Sequence, residues 1–196
     1  MDTMVNQNRR TFLKAGAAAG GGLVISFCLP GAAEAAAGAA KLNAFVTIGT
    51  DGRVTFITGQ AEMGQAAHNA LAMLLAEELE VEFKQVRIEQ GGIDPAFGNP
   101  RYAGFKAVGG FQGTGGSSSV RNVGVLVRRA GAAARFMLIA AASEKMKVSQ
   151  LECMAEKGIV VHKPSGQKVA YGAIANAAAK MVAPDDPVLK HPSTFK

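Results

Sequence analysis

Several residue types that carry chemistry are scarce in this sequence of 196 residues. It has no tryptophan, two tyrosines and two cysteines. The cysteines, Cys28 and Cys153, form no CxxC pair, which excludes a zinc or iron–sulfur site of the usual spacing. The net charge of +6 is spread along the chain rather than gathered in one run. A nucleic-acid surface typically combines a basic patch with stacking aromatics, so we predict no nucleic-acid partner.

Small and apolar residues dominate instead. Hydrophobic residues make up 48% of the sequence, and 24 residues are glycine. This supports a core for one domain after any targeting segment is removed. Removal of a segment that includes Cys28 would leave Cys153 as the one cysteine, and one thiol cannot form an internal disulfide.

The N-terminus has the layout of an export signal. Arg9 and Arg10 precede an apolar run of about fifteen residues, shorter than the roughly twenty that span a bilayer. Ala33-Glu34-Ala35 then offers a cleavage site of small residues. The paired arginines resemble a twin-arginine translocation signal. We therefore predict a signal in residues 1–35, export to the periplasm, and membrane contact only through export or peripheral association.

The remaining pattern predicts an α/β fold of the α+β kind. Two β-rich runs flank an Asp51-Gly52 turn, which predicts a hairpin. Helical periodicity in residues 66–80 and 117–147 predicts two main helices, with a strand at 86–89 between them. Glu77, Glu78 and Glu80 are expected on the solvated face of the first helix.

The expected architecture is a small mixed sheet that begins with the hairpin and has the two helices packed on one face. A second small hairpin and a short helix at 172–181 complete it. The domain is expected to cover residues 36–182. Residues 183–196, with three prolines and no periodicity, predict a linker or a truncated end.

Two loops each lead into one of the predicted helices. Glycine lets backbone approach a ligand closely, and the free N–H groups of a helix N-terminus favour an anion. Glutamine offers a donor and an acceptor, and serine offers a hydroxyl. If the loops face a common point, they suit a large polar heterocycle that carries a phosphate. The candidate binding residues are Met63, Gly64 and Gln65 in the first loop and Gly115, Gly116, Ser117, Ser118 and Ser119 in the second.

These motifs resemble the molybdopterin-binding part of the xanthine oxidase family. Residues 62–80 and 113–121 carry the resemblance, which extends over nearly all of the chain. It is closer to the N-terminal region of the isoquinoline 1-oxidoreductase beta-subunit type, which also has a twin-arginine signal. The resemblance implies a molybdenum hydroxylase that inserts water-derived oxygen into an N-heterocycle or aldehyde, with molybdopterin in a dinucleotide form. The implied partners are the remainder of the molybdopterin subunit, a 2Fe-2S subunit and, as a further candidate, a cytochrome c.

The chain departs from the family pattern in two respects. Ala66 stands where the family usually has glycine. The family's catalytic glutamate, which lies in a late glycine-rich segment, has no counterpart here, and Glu62 is not taken for it. We therefore assign no catalytic residue and expect no turnover by the chain alone. Two other hypotheses stay open: a non-catalytic periplasmic module that binds an anion or nucleotide, and a non-functional gene fragment.

Overall fold

The computed structural model describes residues 13–17, 21–27, 44–93, 97–99 and 112–196. The twin arginines and the predicted cleavage site lie outside the described residues, as do residues 109–111 at the start of the second loop. Across the described part, no helix has the length and apolar character needed to cross a bilayer.

A five-stranded mixed sheet forms the larger layer, in the order β1-β2-β3-β4-β5. The first four strands pair antiparallel, whereas β4 and β5 are parallel and therefore need a crossover, which helix α1 (Ala67–Leu79) supplies. Two strands thus precede the predicted hairpin of β3 and β4. The strands are β1 Leu13–Ala17, β2 Gly22–Phe27, β3 Ala44–Gly49, β4 Val54–Thr58 and β5 Val86–Gln90.

Two long helices, α1 Ala67–Leu79 and α2 Gly124–Met146, pack against each other and against the sheet. Their apolar residues recur every three or four positions, so one face of each helix is buried. The helices approach closely at Gly131, where an added Cβ would lie 2.8 Å from Glu78 Cβ and 3.1 Å from the Leu75 carbonyl oxygen. The predicted α/β class, with a mixed sheet and two main helices, is confirmed.

A second sheet of three antiparallel strands follows α2. Its strands are β6 Cys153–Glu156, β7 Ile159–His162 and β8 Lys168–Ala170. The last predicted helix is shorter than expected: a 3₁₀ turn at Tyr171–Ala173 leads into α3 Ala175–Ala178. This turn is tightly packed, because an added Cβ on Gly172 would lie 2.5 Å from the Thr50 carbonyl oxygen.

Glu78 contradicts the predicted solvated face of α1. Its side chain is fully buried, and its carboxylate lies 2.7 Å from Arg128 Nη2 and 3.4 Å from Arg135 Nη1. The backbone N–H of Lys190 also donates to both carboxylate oxygens, at 3.1 and 3.2 Å. The prediction was wrong because these partners come from α2 and from the end of the chain, which a local pattern does not reveal.

The C-terminal segment, residues 187–196, packs across the same region. Lys190 Nζ lies 3.1 Å from Glu77 and 2.8 Å from Glu80, and the ring of Phe195 lies 5.2 Å from the Arg128 guanidinium. These ion pairs shield the two glutamates, whose side chains are only 18% and 16% exposed. This part of the segment predicted as a linker or truncated end, residues 183–196, is therefore anchored to α1 in this structure.

Tyr171 joins the second sheet to α1, and it provides a test of this packing. Its side chain is buried, its hydroxyl donates to the Leu79 carbonyl oxygen at 2.8 Å, and burial raises the pKa of the phenol well above its ordinary range. Replacing Tyr171 with phenylalanine keeps the ring but removes the donor, so we expect a loss of about 1–2 kcal/mol in urea unfolding. Tyr171→Leu, which also removes ring volume, should lose more. An unchanged midpoint for Tyr171→Phe would show that the hydrogen bond adds no stability.

Candidate functional site

The two loops meet at one open cleft with a volume of about 400 Å³. Both loops and the first turns of the helices that follow them contribute to its wall. Gln65 and Ser117 therefore line the same cleft, as the sequence-based argument requires, whereas Gly64 and Gly116 are not among the lining residues. The cleft is lined by Met63, Gln65, Ala67, Thr114, Gly115, Ser117, Ser118, Ser119 and Val120.

Side-chain hydrogen bonds hold the loops together. The Ala61 N–H donates to Thr114 Oγ1 at 2.8 Å, and Ser119 Oγ donates to Gln60 Oε1 at 2.8 Å. Gln112 Nε2 also donates to the carbonyl oxygen of Gly59, at 3.2 Å. The sequence analysis did not single out Gln60, Thr114 or Gln112. Their local signal is a polar side chain beside a glycine, which is common in loops.

Glu62 occupies the N-terminus of α1. Its Oε1 accepts from the N–H groups of Gly64 and Ala66, both at 2.9 Å, and its Oε2 accepts from the His68 N–H at 3.1 Å. The argument that a helix N-terminus attracts an external anion therefore does not apply to this loop, because the chain supplies its own carboxylate. Ala66 adopts a left-handed conformation with φ 58° that glycine would adopt more easily.

Gln65 shapes the first loop as well as lining the cleft. Its Oε1 accepts from the Met63 N–H at 2.6 Å, and its Nε2 donates to the Ala61 carbonyl oxygen at 2.8 Å. An amide oxygen accepts two hydrogen bonds and an amide nitrogen donates two. Gln65 therefore keeps capacity for a ligand after it has fixed the loop.

The three serines of the second loop have different surroundings. Ser118 is buried, and its Oγ donates to the Gly115 carbonyl oxygen at 2.6 Å and accepts from Asn99 Nδ2 at 2.8 Å. Ser119 Oγ donates to Gln60, as described above. Ser117 is exposed in a left-handed conformation with φ 53°, and in the described part of the chain its hydroxyl has no hydrogen-bond partner. Ser117 is thus the serine best placed to meet a ligand.

The segment after these serines starts as a π-helical turn rather than as an α-helix. The turn covers Ser119–Val123, and α2 begins at Gly124. Serine is a preferred N-cap residue, but the Ser118 side chain makes no capping hydrogen bond here. Instead, the Ser118 hydroxyl donates to the Gly115 carbonyl oxygen, and its oxygen accepts from Asn99 Nδ2. Single π-helical turns within helices occur frequently at functional sites.

Gln60, which is hydrogen-bonded to the cleft-lining Ser119, has an unpaired side-chain nitrogen in the described part of the structure. It is 1% exposed, and among the described residues its Nε2 has no hydrogen-bond partner, although its Oε1 accepts from Ser119. A buried donor without an acceptor costs roughly 1–3 kcal/mol. The lining residues that the structure describes carry no charge, and the carboxylate of the neighbouring Glu62 is already occupied by backbone N–H groups. A ligand rich in acceptors would therefore meet donors along this wall. The donor set therefore fits a polar, phosphate-bearing cofactor.

The first loop should respond to pH through Glu62. The backbone hydrogen bonds from His68, Ala66 and Gly64 hold the pKa of this carboxyl below its ordinary value of 4.5. A lowered pKa means that the carboxylate stabilises the loop fully above about 4.5 and loses this effect as the pH falls through the folded-state pKa. We expect the amide NMR signals of Gly64 and Ala66 to shift together as the pH falls below about 4.5. Glu62→Gln should abolish the shared titration, and an unchanged titration in this variant would contradict the assignment.

Comparison with known proteins decides the family. A family model described as a molybdopterin cofactor-binding domain matches residues 4–196. The chain belongs to this family. The resemblance inferred from residues 62–80 and 113–121 is thereby confirmed.

Two curated proteins are similar in sequence. The chain is 34% identical to the isoquinoline 1-oxidoreductase subunit beta of Brevundimonas diminuta over 131 residues, which is 66% of this chain and 16% of that protein. It is 30% identical to the membrane-bound aldehyde dehydrogenase [pyrroloquinoline-quinone] of Gluconacetobacter polyoxogenes over 137 residues, which is 70% of this chain and 16% of that protein. The chain therefore spans about one sixth of the length of each relative.

Solved structures share the fold at lower identity. Quinoline 2-oxidoreductase from Pseudomonas putida 86 aligns with a TM-score of 0.50 and 22% identity, over 77% of this chain and 17% of that chain. Reconstituted CO dehydrogenase from Oligotropha carboxidovorans aligns with a TM-score of 0.52 and 19% identity, over 67% of this chain and 15% of that chain. These alignments support the mixed α/β architecture.

Proposed function

We propose that this chain is the molybdopterin-binding portion of an exported molybdenum hydroxylase that oxidises an N-heterocycle or an aldehyde. The observation that carries the proposal is the single cleft shared by two loops in a member of the molybdopterin-binding family. The names of the two curated relatives support the substrate classes. Because the chain spans 16% of each relative, further polypeptide would complete the active site, and the chain alone is not expected to turn over.

In this proposal, the candidate residues divide into two groups. Gln65 and Ser117, which line the cleft, present hydrogen-bonding groups to the cofactor. The buried amide of Gln60, which is hydrogen-bonded to the lining residue Ser119, is a further candidate donor. The other candidates, Met63, Gly64, Gly115, Gly116, Ser118 and Ser119, shape the two loops or give the cofactor room. Bound in a dinucleotide form, molybdopterin would supply the redox chemistry that transfers water-derived oxygen to the substrate. This chain's own residues would bind and orient the cofactor.

The proposed assembly lies in the periplasm. The twin-arginine signal supports export, a route associated with proteins that fold before they cross the membrane. One relative is named as a beta subunit, which supports a multi-subunit enzyme. Electrons would leave through a 2Fe-2S subunit, with a cytochrome c as a further acceptor.

The test is the composition of the protein purified from its native host together with its co-purifying chains. We expect molybdenum by elemental analysis, a fluorescent pterin after oxidative release, and iron–sulfur absorbance. Oxidation of an aldehyde or a N-heterocycle such as isoquinoline should follow. Stoichiometric pyrroloquinoline quinone without molybdenum would contradict the proposal. An absence of pterin, with phosphate or nucleotide binding in calorimetry, would instead favour the non-catalytic module.

A further inference from the structure

Strand β2 belongs to the segment that the sequence assigns to the export signal, yet it is an interior strand of the main sheet. It pairs antiparallel with β1 on one side and with β3 on the other. The side chains of Leu23 and Ile25 are fully buried in the main hydrophobic core. A segment that served only as a removable signal would not need this place in the fold.

Two later parts of the chain are fitted to β2. The Gly22 N–H donates to Asn176 Oδ1 of α3 at 2.6 Å, across 154 positions of the sequence. Gly22 also lies so close to β3 that an added Cβ would be 2.6 Å from the Ile48 carbonyl oxygen, and its φ of 132° favours glycine. Both the last helix and the neighbouring strand thus have specific contacts with this segment.

Loss of β2 would damage the sheet. Strand β3 would become an edge with unpaired backbone groups, and the fully buried side chains of Val46 and Ile48 would lose neighbours. Asn176 Oδ1 would lose the hydrogen bond that it accepts from the Gly22 N–H. An exposed apolar edge of this kind promotes aggregation.

We propose that the folded, exported protein keeps β2 covalently attached, so that the export signal is read without removal of residues 22–27. This inference rests on the proposed export for the role of the signal, but the requirement of the fold for β2 is independent of it. The predicted cleavage after Ala35 would then not occur in the functional protein.

The first measurement concerns the fold alone. In the full chain, Leu23→Asp should raise the unfolding equilibrium constant at least about 100-fold, because it places a charge at a buried position. Val182→Asp is the matched control, since Val182 is 86% exposed, and it should leave the unfolding midpoint unchanged. A Leu23→Asp protein as stable as the Val182→Asp control would overturn the structural role of β2.

The second measurement is the intact mass, under denaturing conditions, of the protein from the periplasmic fraction of the native host. A mass that includes residues 22–27 supports the proposal. A mass that corresponds to a chain starting at residue 36 overturns it, even if the cleaved N-terminal peptide stays bound. The double variant Arg9→Lys, Arg10→Lys should stop export, although the sequence of β2 is unchanged. If the wild type never reaches the periplasm, the proposed export fails, and the Leu23→Asp comparison still decides whether the fold needs β2.

Discussion

Replacing Glu78 with glutamine is expected to lower the free energy of unfolding by about 3 kcal/mol. The carboxylate is fully buried and interacts with Arg128, Arg135 and the Lys190 backbone, so its loss leaves two partly buried guanidinium groups without their counter-charge. Breaking one partner of a buried ion pair typically costs 3–5 kcal/mol, and the lower end applies because both arginine side chains are 18% exposed. Urea unfolding followed by circular dichroism measures the change.

Glu144 is the matched control for this substitution. It lies on an exposed face of α2, and within the described residues its side chain forms no ion pair. Glu144→Gln should therefore shift the midpoint by less than about 0.5 kcal/mol. If Glu78→Gln unfolds at the same urea concentration as this control, the buried cluster contributes no stability and our account of the anchored C-terminal segment fails.

Replacing Gly59 with valine is expected to lower the cofactor content of the assembled protein at least about tenfold. Gly59 follows β4 and leads into the first loop, and an added Cβ there would lie 2.8 Å from Gln112 Nε2 and 3.0 Å from the Phe97 carbonyl oxygen. Overpacking of this kind costs about 1–3 kcal/mol, and 1.4 kcal/mol corresponds to a factor of ten in binding. The strain would be relieved by moving the loops apart, which opens the cleft. Molybdenum and pterin per protein are the quantities to measure.

Gly92→Val is the control for this steric argument. Gly92 also accepts a hydrogen bond from Gln112 through its carbonyl oxygen, at 3.0 Å, but an added Cβ there meets no atom of the described residues within 4 Å. This variant should retain the wild-type cofactor content. Equal losses in both variants would show that any added side chain near the cleft is harmful, and would contradict the specific role of Gly59.

The sequence predicts those parts of the fold that depend on near neighbours in the chain. The Asp51-Gly52 turn is one example: the Gly52 N–H donates to the Gly49 carbonyl oxygen at 3.0 Å, and Asp51 accepts from the Arg53 N–H at 3.0 Å. The apolar face of α1 is another, because helical spacing alone places Leu71 and Leu75 on the core side. Such features follow from turn chemistry and periodicity.

Other features depend on residues that are distant in sequence. The burial of Glu78 results from arginines about fifty positions away, and the anchoring of Gly22 results from Asn176. At the cleft, sequence patterns find Gln65 and Ser117 because glycines mark both loops. They miss Gln60, because its hydrogen bond with Ser119 joins residues that are distant in sequence. They also do not show that the Glu62 carboxylate occupies the N-terminus of α1.

The central claim is that both loops bind the same molybdopterin molecule, and hydrogen exchange tests it most directly. The assembled protein is compared before and after removal of its cofactor, with peptides that cover residues 60–68 and 112–121. We predict slower exchange in both peptides when the cofactor is bound, and no change in a control peptide from residues 153–170 of the second sheet. Protection of only one loop, or of neither, would contradict the claim.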